Sequence, residues 1–525
     1  MHSALNCSLL LAHCSLFGGA SMKKIISIIL CITLMLTVIV IPVSAQATGD
    51  TVTLDDARPL VIVRGMDFIT GLVRNPDTPQ ETTVGMDFSA KTIIKGLSNV
   101  FIQGITKFSK DAAVDALCDF AYDIFEDYAC DMNGESLDKS VVCKTYDKNI
   151  SNYTYLYSRG KGEETLARTA AERYGEQKVF YFKYDWRLNP NYNASLLNGV
   201  INTALSENPE CDKVNIVCCS MGGLVTLAYL TNYGSDKVHT VVSDTSVMYG
   251  TDVTGDLLRG KVVFEPDAAE QYLSYYLSGA KWFIYFLNKV GILDIICNSL
   301  NNFVDEYKDK IYDEVLIPIF GTNTAVWSLV YNDEYEAAKQ YMFGGKEDEY
   351  ASFIEIIDDI QNNIVAKRDE TLNTAMANGM NLTIIANYNR PDICVYESAA
   401  LQGDGILGTN GCAFGATVSN VGDVLSEEQT AGVPDEYLSV DGCINACTCE
   451  YADRTWFIRN ARHVGCYYNS EYTFFVLWLI ECEEQPTVYQ NEKYPRFMIS
   501  DKSENLYPLS LEKISEIENS LSPVC

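Results

Sequence analysis

One stretch near the middle of the sequence most restricts how this chain can fold. It opens on residues 214–217, which are apolar except for Asn215 and typical of a buried strand, and it closes on the mainly apolar helical run 224–230. Between them, small residues flank Ser220: Cys218 lies two positions before it and Gly222 two positions after it. A strand turns sharply into a closely packed helix only where such positions are small. The stretch therefore predicts a strand, a tight turn that exposes Ser220 at a sheet edge, and a helix.

Similar apolar runs recur on both sides of this turn. Strands are predicted at residues 60–65, 179–182, 238–243, 382–388 and 455–458, and helices near 96–130 and 194–208. Strands that alternate with helices assemble into a mostly parallel sheet with helices on both faces. From residue 256 to 378 the pattern is instead helical and rich in aromatic residues. We therefore predict an α/β fold in which a mostly parallel sheet, covered on both faces, carries an inserted helical cap.

These patterns divide the chain into five parts. Residues 1–47 form an N-terminal extension with a signal peptide, 48–255 the first part of the core, 256–378 the helical cap or lid, 379–480 the second part of the core, and 481–525 a C-terminal tail. The core is thus discontinuous in sequence, because the segments on either side of the cap must complete one sheet.

The amino terminus has the pattern of a secretory signal peptide. A short positive region begins at Met22, residues 25–43 are almost wholly apolar, and small residues follow up to Ala47. This pattern predicts a secreted protein whose mature chain starts near residues 46–48. The apolar run approaches the length that spans a bilayer, so anchoring in a membrane by an uncleaved signal is the alternative.

The charge balance and the cysteine spacing exclude several classes of partner. The formal net charge of −31 argues against nucleic acid and against electrostatic docking on an anionic membrane, since both require a basic surface. The charge does not argue against neutral substrates such as esters and lipids. Cys443, Cys447 and Cys449 contain no pair separated by two residues, so no zinc or other metal site is predicted. No cofactor is expected.

Ser220 is the candidate nucleophile, and it needs a general base because a serine hydroxyl is weakly nucleophilic by itself. The chain has four histidines. His2 and His13 precede the signal peptide, and His239 lies inside a predicted strand. His463 follows the predicted strand 455–458 by a short loop, and the order serine, acid, histidine along the chain suits a strand–serine–helix turn. His463 is therefore the predicted base.

Two aspartates compete for the role of the acid that orients His463. Asp404 lies closer to the predicted strand that ends at Tyr388, whereas Asp441 lies closer to His463 in sequence. Each precedes a glycine, and an Asp-Gly pair is also an ordinary turn. We favour Asp404 and keep Asp441 as the alternative.

Two backbone N–H groups are expected to stabilise the oxyanion that forms during attack by the serine. The first belongs to Met221, the residue after the nucleophile. The second should come from the loop after the first core strand, which places it at Met66 or Asp67, directly after Gly65.

Three motifs resemble the lecithin:cholesterol acyltransferase-like branch of the α/β-hydrolases, which includes bacterial lipases. Residues 184–187 match its tyrosine–aspartate–tryptophan–arginine signature, residues 220–223 match its nucleophile turn, and residues 403–405 resemble its acid motif. The stretch 441–465 is similar to secreted lipase-like hydrolases. The likeness spans roughly residues 58–250 and 380–480. It implies the α/β-hydrolase fold, a lipid or other acyl ester as substrate, and a cap that covers the acyl chain.

The sequence departs from that family next to the nucleophile, where Cys219 replaces the usual histidine and Cys218 a glycine or alanine. The resemblance predicts a secreted serine hydrolase that cleaves acyl esters, with transient contact between the cap and a lipid surface or membrane. An acyltransferase of the same family is one alternative, since both reactions pass through one acyl-enzyme. A catalytically inactive lipid-binding protein on the same fold is the other.

Overall fold

The computed structural model describes residues 57–66, 72–84, 110–153, 165–277, 280–467 and 469–521. The predicted signal peptide and Asp67 lie outside these residues. The chain forms two compact units, and each is described by itself. The sheet unit holds the described parts of Ile41–Met86, Phe125–Val263 and Leu316–Cys525, and the helical unit holds those of Asp87–Ile124 and Phe264–Val315.

The described strands are β1 Leu60–Val63, β2 Leu72–Arg74, β3 Thr82–Val84, β4 Val141–Cys143, β5 Val179–Phe182, β6 Val214–Ser220, β7 Val238–Ser246, β8 Asn381–Tyr388, β9 Thr417–Val418, β10 Ile444–Asn445, β11 Thr455–Arg459, β12 Phe497–Ser500 and β13 Leu506–Pro508. The α-helices are α1 Lys110–Phe125, α2 Thr165–Tyr174, α3 Pro190–Glu207, α4 Gly222–Tyr233, α5 Asp252–Leu258, α6 Pro266–Tyr276, α7 Lys281–Lys289, α8 Ile292–Ile311, α9 Thr324–Ser328, α10 Tyr335–Phe343, α11 Ala351–Ile360, α12 Arg368–Ala377, α13 Thr409–Cys412, α14 Glu427–Thr430, α15 Ser470–Glu481 and α16 Leu511–Leu521. Two π-helical segments, Tyr312–Gly321 and Gln361–Val365, follow α8 and α11.

Eight strands form one sheet in the order β5-β1-β6-β7-β8-β11-β12-β13. Neighbouring strands from β5 to β12 are parallel, and the edge strand β13 is antiparallel to β12. This arrangement confirms the predicted mostly parallel α/β sheet. Strand β5 lies on one side of β1, and β6, the next strand of this sheet along the chain, lies on the other side of β1. Crevices for ligands form at such reversals, outside the carboxyl ends of the strands.

Both faces of the sheet are buried, as predicted. Ile62 and Val217 belong to one apolar cluster with residues of α2 and α15. Their neighbours in sequence, Val61 and Ile216, point to the opposite face because side chains alternate along a strand, and they are equally buried. On that face α3, α4 and α12 pack together, and α4 contacts β1, β6 and β7. Burial on both faces explains why β1 is a continuous apolar run and β6 is largely apolar.

The predicted helical insertion between β7 and β8 is present, and it is divided between the two units. Helices α6 to α8 belong to the helical unit, whereas α9 to α12 belong to the sheet unit. The second group is held by buried aromatic packing: Trp327 stacks on Phe343 with ring centroids 5.2 Å apart, and α12 packs against α4. Periodicity alone does not separate the two groups, because amphipathic helices such as α7 and α11 occur in both.

The helical unit leaves an apolar surface in solvent. Helix α6 contacts α7 and α8, yet most large side chains of α7 face outward, and Trp282 is 74% exposed. The "aromatic face" is the set of exposed side chains on α7 and the start of α8, namely Trp282, Phe283, Tyr285, Phe286, Val290, Ile292 and Ile295. Trp282 and Phe286, one helical turn apart in sequence, stack with their centroids separated by 5.9 Å.

Among the described helices, none is by itself both long and apolar enough to cross a membrane. The pair Lys281–Lys289 and Ile292–Gly321 meets the length and composition limits only when joined, and it is bent by 76°.

Candidate active site

The predicted turn at Ser220 joins β6 to α4. Strand β6 ends at Ser220 and α4 begins at Gly222. Ser220 has a φ of 52°, a left-handed conformation that is strained for a residue with a side chain. The turn also requires glycine at position 222, because a Cβ there would overlap the carbonyl oxygen of Val63 and lie 2.8 Å from that of Arg64. Gly223 is equally constrained, since a Cβ there would lie 2.7 Å from the Cβ of Ser246.

The loop after β1 lies directly against the nucleophile. A Cβ on Gly65 would be 2.5 Å from the Cβ of Ser220 and 2.9 Å from its Oγ. Met66 follows in the same loop, and Met221 is buried between β6 and α4. Met221 and Met66, two of the three residues predicted as donors to the oxyanion, therefore come from segments adjacent to Ser220.

His463 and Asp404 are in direct contact. The Nδ1 of His463 lies 2.7 Å from Oδ2 of Asp404, and the His463 backbone N–H donates to the Asp404 carbonyl at 3.2 Å. The other carboxylate oxygen, Oδ1, accepts hydrogen bonds from the N–H groups of Ile406 at 3.0 Å and Leu407 at 2.9 Å. Both side chains are largely buried. Oδ1 of Asp404 thus accepts both backbone N–H groups, and Oδ2 is left to accept from the imidazole of His463.

The end of β7 connects the histidine loop to the nucleophile turn. The N–H of Val464 donates to the hydroxyl of Thr245 at 3.0 Å. Two residues after Thr245, the N–H of Val247 donates to the carbonyl of Ser220 at 3.1 Å. Thr245 and Val464 both have left-handed φ angles, 44° and 49°. Strain at these positions persists only where the surrounding contacts determine the backbone, and it is common at functional sites.

The electrostatic surroundings of His463 favour its protonated form. Burial lowers the pKa of His463, but the carboxylates of Asp404, Asp244 and Asp392, together with the hydrogen bond to Asp404, outweigh burial and leave the pKa raised above its usual value. An imidazole that gains a proton readily is suited to act as a general base.

Asp441, the alternative acid, has other partners. Its Oδ2 accepts from Arg459 at 2.8 Å and from the Tyr388 hydroxyl at 2.9 Å. Its Oδ1 accepts from the Ser439 hydroxyl at 2.5 Å and from the Cys443 N–H at 3.2 Å. These bonds connect β8, β11 and the loop between them. The contacts of the Asp441 carboxylate are therefore those of a structural residue.

His239 lies at the opposite edge of the sheet from Ser220, at the amino end of β7. Its Nδ1 is 2.9 Å from the Thr240 hydroxyl. Burial, followed by the nearby Arg58, lowers the pKa of His239. Its place in the sheet separates it from the residues gathered around Ser220.

The tyrosine–aspartate–tryptophan–arginine motif is a buried ion pair. Arg187 is fully buried and bonds both oxygens of Asp185, at 2.9 and 2.7 Å. Its remaining N–H groups donate to the Asp127 and Val141 carbonyls and the Ser136 hydroxyl. The motif therefore anchors the loop after β5 to the segment around β4.

Two groups of buried residues near His463 and Asp404 are not suggested by any sequence motif. In the first, ligand atoms of Cys219, Asp244 and Cys466 lie within 4.8 Å of one another, a grouping that could hold a metal ion. The two Sγ atoms are 3.8 Å apart, and Asp244 accepts from the Tyr472 hydroxyl at 2.5 Å. The spacing rule for zinc ligands misses this group because its members come from three distant segments.

Cys219 belongs, with Cys466, to the apolar cluster on one face of the sheet, so its side chain packs beneath the turn, whereas Ser220 lies at the end of β6.

The second group is Asp392 with Tyr396. Both are buried, and the Tyr396 hydroxyl donates to Oδ2 of Asp392 at 2.9 Å. Asp392 contacts the glycines on both sides of Asp404. A lone aspartate twelve positions before an Asp-Gly pair carries no recognisable pattern, so only the fold shows the contact.

No protein-family model matches the sequence, and no curated protein matches it significantly. Among solved structures, one chain of a structure described as "The crystal structure of Tle4-Tli4 complex" is similar, with a TM-score of 0.28 and 13% sequence identity. The similarity covers 64% of this chain and 76% of that chain. At this distance it assigns no residue and no reaction.

Proposed function

We propose that this chain is a serine hydrolase that cleaves carboxylic esters through an acyl-enzyme on Ser220. The observation that carries the proposal is the contact between His463 and Asp404 at the same sheet edge as the strained turn of Ser220. These residues follow β6, β8 and β11, which lie close together in one parallel sheet. The order serine, acid, histidine and the strand–serine–helix turn are those of α/β-hydrolase triads.

In the proposed reaction the Ser220 Oγ attacks the ester carbonyl while the Nε2 of His463 accepts its proton. Asp404, bonded to Nδ1, holds the ring in the required tautomer and stabilises the imidazolium. The N–H groups of Met221 and Met66 stabilise the oxyanion. His463 then protonates the departing alcohol, and a water molecule attacks the acyl-enzyme to release the acid.

An acyl lipid is the substrate class that the surface of the helical unit supports. The aromatic face combines tryptophan, phenylalanine and tyrosine on one short helix, a composition typical of helices that lie at a lipid interface. Lys281 and Lys289 bound that helix. A secreted enzyme of the lecithin:cholesterol acyltransferase-like branch, in transient contact with a lipid surface, agrees with the motifs and with this face.

The proposal is tested with the chain from residue 48 onward and p-nitrophenyl esters of short and long acyl chains. We expect turnover, covalent labelling by a fluorophosphonate, and loss of both in Ser220→Ala. Adding a long-chain alcohol as acceptor distinguishes acyl transfer from hydrolysis by the product formed. A wild-type chain that neither turns over these esters nor takes up the label, while folded by circular dichroism, would refute the proposal.

A further inference from the structure

The turn that carries Asp404 closes around a second buried carboxyl group. Asp392 lies in the loop after β8 and is only 2% exposed. Its Oδ1 accepts the N–H of Gly405 at 3.0 Å, and its Oδ2 accepts the Tyr396 hydroxyl at 2.9 Å. The residue immediately after the candidate acid is therefore bonded directly to Asp392.

The residue immediately before Asp404 touches the same carboxyl group. A Cβ on Gly403 would lie 2.6 Å from Oδ1 of Asp392 and 2.9 Å from its Cγ. The Gly403 carbonyl also accepts the N–H of Arg390 at 3.0 Å, which pairs the two loop segments. Without the Asp392 carboxyl, the turn would lose a contact on one side of Asp404 and the hydrogen bond of the Gly405 N–H on the other.

We infer that Asp392 is a positioning residue of the triad, which sets the orientation of Asp404 and, through it, the imidazole of His463. The inference rests on the proposed function. Asp392 makes no hydrogen bond to His463 or Ser220 among those described, so it positions Asp404 through the 403–405 turn, and in its ionised form it also raises the pKa of His463. A displacement of a catalytic group by about 1 Å lowers a rate by roughly 10²-fold.

The charge state of Asp392 suits this role. The ionisable groups that interact with it include Asp404, Tyr396, His463 and Cys412. Burial raises the pKa of Asp392 to about 8, the Asp404 carboxylate adds to the rise, and the hydrogen bonds from Tyr396 and Gly405 oppose it. At pH 7, below this pKa, Asp392 is mainly an uncharged carboxyl group that holds the turn through its two hydrogen bonds.

An uncharged carboxyl group has a close mimic in asparagine, which provides the main variant. Asp392→Asn keeps an oxygen that accepts from Gly405 and places an NH₂ group toward Tyr396. Asp392→Ala removes both contacts. Asp256→Ala is the matched control, because Asp256 is equally buried and also accepts a backbone N–H, that of Ser398 at 2.9 Å, outside the triad.

Ester hydrolysis is measured for each variant at pH 7. We expect Asp392→Asn to keep kcat within about threefold of wild type, and Asp392→Ala to lower kcat by about 10- to 100-fold with KM almost unchanged. Asp256→Ala should lose thermal stability but keep kcat. Wild-type kcat in Asp392→Ala, or an equal loss in the Asn and Ala variants, would overturn the inference.

A second readout needs no substrate. The Nδ1 proton of a histidine bonded to a carboxylate gives a far-downfield NMR signal, and His239 is the only other histidine after the signal peptide. We expect this signal in wild type and Asp392→Asn, and its loss or broadening in Asp392→Ala. If wild type hydrolyses no ester, the proposed function fails while this signal still tests Asp392.

If Asp392→Ala does not fold, Tyr396→Phe replaces it. A partial loss of kcat in Tyr396→Phe supports the inference, and an unchanged kcat contradicts it.

Discussion

At the scale of single residues, the partners of two aspartates decide which of them can serve His463. Asp404 shares a 2.7 Å contact with Nδ1 of His463, and Asp441 is neutralised by Arg459. We predict that Asp404→Asn lowers kcat on the order of 10⁴-fold, as loss of the acid does in other triads, because it removes the carboxylate that holds the tautomer. Steady-state kinetics with a soluble ester measures the change.

Asp441→Asn is the matched comparison for that variant. It weakens a buried ion pair, so we expect a loss of about 1–3 kcal/mol in the free energy of unfolding with kcat close to wild type. Urea unfolding measures the first quantity and the same ester assay the second. A larger loss of kcat in Asp441→Asn than in Asp404→Asn would reverse the assignment.

His463 and His239 differ in the direction of their pKa shifts. Carboxylates raise the pKa of His463 above 6.5, and burial followed by Arg58 lowers that of His239 below 6.5. We predict that NMR titration finds them on opposite sides of this value. Because the base must be neutral to accept a proton, the acid limb of kcat/KM should follow the higher pKa. A limb that follows His239 would argue against His463 as the base.

Around Ser220, the sequence alone identifies the candidate base but does not identify the acid. His463 could be chosen because only four histidines exist and three are disqualified by position. The choice between Asp404 and Asp441 stayed open because both are Asp-Gly turns with nearly the same local chemistry. Their difference lies in Arg459 and Tyr388, partners that the fold brings from other strands.

At the scale of elements, the junction of β6 and α4 depends on the absence of a side chain at position 222. We predict that Gly222→Ala costs about 1–3 kcal/mol, as overpacking does, because the new Cβ would overlap the backbone carbonyl of Val63. The displaced turn should also slow fluorophosphonate labelling of Ser220. Thermal unfolding and the labelling rate check the two parts.

Gly199 provides the control for this substitution. It lies within α3, and nothing stands within 4 Å of the position that a Cβ would take there. Gly199→Ala should therefore keep the labelling rate and gain up to about 1 kcal/mol, since alanine favours a helix over glycine. Equal effects at positions 199 and 222 would show that the tight turn plays no special part.

The aromatic face of α7 makes a separate prediction about lipid surfaces. Exchanging Trp282 and Phe286 for serine should weaken binding to zwitterionic phospholipid vesicles in a flotation assay, because the apolar area available for burial falls. Hydrolysis of a short soluble ester should not change. Tyr192→Ser, which removes another exposed aromatic on α3, is the control. Unchanged vesicle binding in the double variant would contradict the lipid-surface proposal.

At the scale of the whole molecule, carboxyl groups that are buried, such as Asp392, or half-buried, such as Glu334, link stability to pH. Burial raises the pKa of Asp392 to about 8 and that of Glu334 to about 7. A carboxyl group whose pKa is higher in the folded state stabilises the fold below its unfolded pKa, and this stabilisation is lost as the pH rises through the folded value. We therefore predict a lower unfolding midpoint in urea at pH 8 than at pH 5.

Substitutions of single carboxyl groups show which of them cause the dependence of stability on pH. Asp392→Asn and Glu334→Gln should each flatten the dependence between pH 5 and pH 8, because an amide cannot ionise. Glu81→Gln is the control, since Glu81 lies on the surface and a hydrogen bond from Lys144 lowers its pKa. If the dependence of the urea midpoint on pH were unchanged in Asp392→Asn and in Glu334→Gln, it would come from the general acidic charge of the chain instead.

The amino-acid sequence by itself determined the α/β class, the strand–serine–helix turn and the candidate base. Each of these depends on local periodicity, small residues at fixed offsets, or the scarcity of histidine. Only the tertiary structure decided that Asp404, rather than Asp441, contacts His463, and that Asp392 lies behind Asp404. It also divided the helical insertion between two units. The reason is physical: these outcomes depend on contacts between segments far apart in the chain, made by residue types that are common everywhere in it.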